Sequence, residues 1–132
     1  MRQFAFPIVA TAVLGATVQA SAADTAGGTW VGNMRQIDTA SEQSYPMRLR
    51  IDGQAGTTIY QTLDCVGRLT WLGETRNGAR VFQETVENGP KGSCIDGVVL
   101  VTLVSGKAVL GWYGTFGEQP SVASAVLDPA PT

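Results

Sequence analysis

The sequence predicts an all-β fold, a small antiparallel barrel of about eight strands, with a two-sheet β-sandwich as the alternative closure. Three observations point there. Apolar residues alternate with polar ones at a period of two rather than 3.6. Turn-forming residues recur roughly every ten positions. No long helical pattern occurs once the first residues are passed.

The N-terminus is set apart. Met1-Arg2-Gln3 gives a charged start, and the apolar run from Phe4 to Ala16 has the length of a signal-peptide core. It falls short of the ~20 residues a spanning helix needs. Ala20 with Ala22, or Ser21 with Ala23, supplies the small-residue pair for cleavage after Ala22 or after Ala23. Pro7 and the missing amphipathic period argue against a buried helix, and no cysteine stands at the cleavage site to take a lipid. The expectation is a signal peptide over 1–23 and a single β domain over 24–132, with a core at about 27–127 and a flexible tail at 128–132. The domain is expected in the periplasm or outside the cell.

The strands follow in order. The first is expected at 28–37. In the second, at 45–52, Tyr45, Met47, Leu49 and Ile51 share one face and Arg48 and Arg50 the other, and Asp52-Gly53 turns the chain. The third is expected at 56–62. At 67–74, Leu69 and Trp71 fall together, opposite Arg68, Thr70 and Glu74. Asn77-Gly78 reads as a hairpin turn into 80–87, which Asn88-Gly89-Pro90 ends. The stretch 97–104 is almost continuously apolar and suggests a strand covered on both sides. The last two strands are expected at 108–114 and 121–127, with Gly97, Gly106, Gly111, Gly114 and Gly117 at turns or bends. Short sequential hairpins favour a meander barrel, which also removes exposed edges. A membrane barrel is set aside because its strands need about 9–11 residues and because Arg48 and Arg50 would then face lipid.

Composition narrows function. The net charge is −2 and the charges are scattered singly, so no basic stretch exists to meet nucleic-acid phosphates. The chain has no histidine, which excludes His-dependent triads and the usual zinc and haem ligand sets; no metal or other cofactor is expected. Its two cysteines, Cys65 and Cys94, read as a disulfide in an exported chain. Closing a loop of that length stabilises a domain by about 3 kcal/mol in the chain-entropy model.

Gly28-Thr29-Trp30 resembles the G-x-W opening of calycin-type barrels such as lipocalins and avidins. The wider pattern runs through Gly32, Tyr45-Pro46, Gly56 to Tyr60, Cys65-x-Gly67-x-Leu69, Phe82-x-Glu84 and Cys94-x-x-Gly97. It is similar to a small exported bacterial domain that also forms the extracytoplasmic tail of some serine/threonine kinases. The resemblance covers about residues 27–127 and implies a disulfide-stapled β domain with Trp30 across one end of the barrel. It implies no particular ligand.

Glu84 is the candidate polar anchor, because it shares the apolar face of Phe82 and Val86. A carboxylate there must be paired or hydrogen-bonded, structurally or to a ligand, or it takes up a proton. Trp30, Tyr60, Trp71 and Trp112 are the candidate core or pocket aromatics. Pairing Glu84 with Glu74 or Asp64 for glycoside hydrolysis, or Ser93 with Lys91, is the enzymatic alternative and has least support. The expected function is non-enzymatic binding, first of an envelope or extracellular protein through the loops in an inhibitor, immunity-like or sensor role, because a barrel this small should fill its own interior. The alternative is a small ligand inside the barrel. Neither nucleic-acid binding nor stable membrane insertion is expected.

Overall fold

The computed structural model describes residues 27–37 and 43–131. The expected signal segment 1–23 lies outside the described residues. Eight antiparallel strands form a closed meander barrel in which each pairs with its chain neighbours and the last pairs with the first. They are β1 (Gly28–Gln36), β2 (Gln43–Asp52), β3 (Ala55–Tyr60), β4 (Cys65–Glu74), β5 (Arg80–Asn88), β6 (Gly97–Val104), β7 (Lys107–Phe116) and β8 (Gln119–Pro129). The barrel, not the sandwich, is the closure adopted, and Cys65 is bonded to Cys94.

The period-two pattern does what it predicted on β2, where Met47, Leu49 and Ile51 are buried and Arg48 and Arg50 are exposed. Asp52-Gly53 and Asn77-Gly78 lie at turns, with Gly53 at φ 68° and Gly78 at φ 90°, backbone that a side chain opposes. β3 ends earlier than expected, at Tyr60, and a 3-10 turn over Gln61–Leu63 leads into Asp64 at positive φ. β6 is not covered on both sides. Val99 and Val101 are buried while Leu103 and Val104 are about half exposed, because a closed barrel has one inside. Gly97, Gly111 and Gly114 lie within strands rather than at turns, whereas Gly106 and Gly117 do turn the chain. The expected frayed tail is partly strand: Asp128 and Pro129 belong to β8, and the Ala130 amide donates to the Thr29 carbonyl at 2.8 Å.

Strand length does not separate this barrel from a membrane barrel, since β2, β4 and β7 have 10 residues each. Membrane barrels have a polar interior, whereas here Leu49, Leu69, Phe82, Val99, Leu110 and Leu127 fill the inside and Arg48, Arg50 and Arg68 face out. No helix among the described residues is long and apolar enough to cross a membrane.

The two barrel ends differ. At the end carrying the β2–β3, β4–β5 and β6–β7 turns, Trp30 is buried and its indole donates to the Gly106 carbonyl at 3.1 Å. Trp71 lies near the same end, edge-on to Phe82 with ring centroids 5.6 Å apart and the Arg80 guanidinium over its face. Leu72 bulges out beside it where the β4–β5 register shifts. The opposite end carries the functional candidate.

Candidate functional site

Across the middle of the barrel the inward register runs Leu69, Glu84, Gly97, Gly114, Ser121 from β4 to β8. Glu84 is 1% exposed. Three side chains hold its carboxylate. Thr58 and Tyr60 donate hydroxyls to Oε2 at 2.5 and 2.6 Å, and the Trp112 indole N–H donates to Oε1 at 2.9 Å. Such bonds replace the water a buried carboxylate has lost.

Glycines make this geometry available. Gly67 is the β4 residue opposite Thr58, and with no side chain between them Thr58 and Glu84 meet across β4. A Cβ on Gly67 would stand 2.5 Å from Glu84 Oε2 and 2.8 Å from its Cγ. Gly97 does the same on the other flank. A Cβ there would stand 2.6 Å from Trp112 Nε1, so the indole crosses β6 to reach Glu84 only because that position is bare. Burial raises the Tyr60 hydroxyl well above the usual tyrosine range, and the neighbouring Glu84 carboxylate raises it further. Tyr60 therefore remains a protonated donor at neutral pH.

Above Glu84 the barrel is hollow. A cavity of about 330 Å³ is lined by Glu84, Tyr60, Trp112, Tyr45, Met34 and Val86 below, and it reaches the exposed Gln43, Ser93 and Phe116 at the rim. The expectation of a filled interior is thus met only in the lower half. Tyr45 stands edge-on to Tyr60 with centroids 6.1 Å apart and donates to the Gln36 side-chain oxygen at 3.1 Å. Gln36 in turn donates to Ser121 Oγ at 2.6 Å, which ties β2, β1 and β8 together around the mouth. On the other side β5 and β6 part after the Glu84–Gly97 pair, and the chain between them folds back over the opening. Cys94 and Ile95 of that segment line the cavity, and the disulfide to Cys65 fixes them there. Asn88 brackets Cys94, accepting from its amide at 2.7 Å and donating to its carbonyl at 3.0 Å.

Of the aromatic candidates, the structure brings Tyr60 and Trp112 to the site; Trp30 and Trp71 lie at the closed end. The carboxylates considered as partners of Glu84 go elsewhere. The Asp64 side chain accepts the Lys91 amide at 2.9 Å, and Glu74 lies opposite Arg80 in the register at the far end of β4. Ser93 lines the mouth, while Lys91 is exposed and contributes its backbone to Asp64. The connection expected between the last two strands, at 115–120, is only the turn Gly117–Glu118. Comparison with protein-family models, with curated proteins and with solved structures finds no match. Thr58, Gly67, Gln36 and Ser121 are the site residues that sequence reasoning missed. A polar Thr58 on the face of Tyr60, and glycines at inward strand positions, are the signals that point to them.

Proposed function

We propose that this protein is an exported, non-enzymatic binding domain that holds a small ligand in the cavity at the open end of its barrel. The observation that carries this is the cavity itself, a hollow of about 330 Å³ above a buried carboxylate held by three donors. That volume lies at the small end of the range for ligand pockets, which are concave, mostly apolar and carry few polar groups. A filled interior is the reason to rank protein recognition first, and the cavity removes that reason. Export through a signal peptide at 1–23, to the periplasm or the medium, is part of the same reading; the disulfide suits an oxidising compartment. Kinship with calycin-type barrels is likewise part of it, supported by the position of Trp30 across the closed end.

The test is a small-molecule fragment screen by ligand-observed NMR, repeated on Val86→Phe. Val86 lines the cavity and is half-buried, so a larger ring there fills space without entering the packed lower core. Fragments that bind the parent and lose binding to a folded Val86→Phe protein support the reading. Fragment binding unchanged by that substitution, or no binding at all, contradicts it.

A further inference from the structure

The carboxylate at the floor of the cavity has only neutral partners. Glu84 is buried, and among the described residues no lysine or arginine pairs with it or lines the cavity. The hydrogen bonds are also incomplete. An ionised carboxylate offers about four acceptor sites; two donors occupy Oε2 and one occupies Oε1, so Oε1 keeps one acceptor direction. The walls are aromatic, with Tyr45 and Tyr60 on one side and Trp112 and Phe116 on the other. Ring faces attract a desolvated cation and disfavour an anion.

We propose that the cavity takes a small organic cation, an ammonium group with N–H donors on a short apolar stem, and that Glu84 is its anion. The ammonium gives the free Oε1 direction a donor and neutralises the buried charge, while the stem lies among Tyr45, Met34 and Ile95 toward the mouth. A neutral alcohol of the same shape fills the same space but leaves the charge uncompensated, which is costly away from water. A carboxylate adds a second negative charge. This assignment rests on the small-ligand reading and adds the ligand's charge to it. The same chemistry is presented by a free alkylamine and by the end of a lysine side chain.

The experiment titrates the protein with n-butylammonium, 1-butanol and butyrate, and with a capped lysine peptide, following the indole N–H signals by NMR. Trp112 is the reporter, because its N–H donates to Glu84 and Trp30 and Trp71 lie at the other end. Saturable movement of the Trp112 signal by butylammonium, at roughly 10-fold or better affinity than butanol and with no response to butyrate, is the expected result. A lysine peptide that binds tighter than butylammonium supports the proposal and names a protein side chain as the source. The reverse order identifies the free amine. Glu84→Gln should cost the ammonium roughly 10- to 100-fold and leave butanol unchanged. The hydroxyls of Thr58 and Tyr60 can turn to accept from the new amide; should that variant fail to fold, the parent series decides alone. Butanol binding as well as butylammonium overturns the cation proposal and leaves the small-ligand reading standing. No saturable response to any of the four overturns both.

Discussion

Gly67→Ala tests the construction of the site without touching any of its polar groups. The added Cβ would stand 2.5 Å from Glu84 Oε2 and 2.8 Å from Glu84 Cγ, and closer still to Thr58 Oγ1, where ordinary contact begins at 3.4 Å. Neither neighbour can retreat freely, because both are buried and the carboxylate is held from two sides. Overpacking a core costs about 1–3 kcal/mol, and losing the hydroxyl bond to a buried carboxylate adds about 1.5–3 kcal/mol. The expected loss is therefore about 2.5–6 kcal/mol, which lowers the Tm of a domain this size by at least about 10 °C. Denaturant unfolding and calorimetry measure it. Gly53→Ala is the control. That residue has φ 68° and nothing within 4 Å, so only the left-handed backbone penalty of about 1–2 kcal/mol applies. In a Thr58→Ala background the closest obstruction is gone, and Gly67→Ala should cost less by about 1 kcal/mol or more. A Gly67→Ala protein within about 1 kcal/mol of its parent, or additive costs in the double mutant, would refute the cradle.

Other outcomes follow from the same geometry. Leu49→Ala should cost about 2–5 kcal/mol and Arg48→Ala less than about 0.5 kcal/mol, since Leu49 is wholly buried and Arg48 exposed; chemical denaturation of both variants checks the strand facing. Alkylation of unreduced protein should find no free thiol, and replacing Cys65 and Cys94 with serine should cost about 3 kcal/mol of stability. Tyr60 retains its proton in the folded state beyond the point where an unfolded tyrosine loses it, so it contributes stability below about pH 10 that is lost as pH rises further. Tyr60→Phe should flatten that alkaline decline, read from melting temperatures across the alkaline range.

The number of strands and their facing were legible because they depend on local pattern, whereas the closure into a barrel rather than a sandwich was not. Alternation on β2 and the turns at Gly53 and Gly78 need only neighbouring residues, and two cysteines allow only one pairing within the chain. Glu84 was legible as an inward carboxylate for the same reason. Its partners were not. Thr58 lies 26 residues away and Trp112 lies 28, and each reaches Glu84 across an intervening strand. Which side chains meet there depends on the register of β3 to β7 and on the bare positions at Gly67 and Gly97, so Gly97, which read as a turn or bend, turns out to be space. The cavity was missed because filling depends on summed side-chain volume around the ring, where Gly97, Gly114 and Ser121 sit on neighbouring strands. That sum is invisible along any single strand.

If Glu84 forms the floor of an open cavity that takes an ammonium group, a crystal of the protein soaked with n-butylammonium should show the nitrogen at about 2.7–2.9 Å from a Glu84 oxygen, with the stem against Tyr45 and the three protein donors still in place. A cavity closed by Ile95 and Phe116 folded inward, or a ligand bound only on the outer face of the barrel, would contradict it.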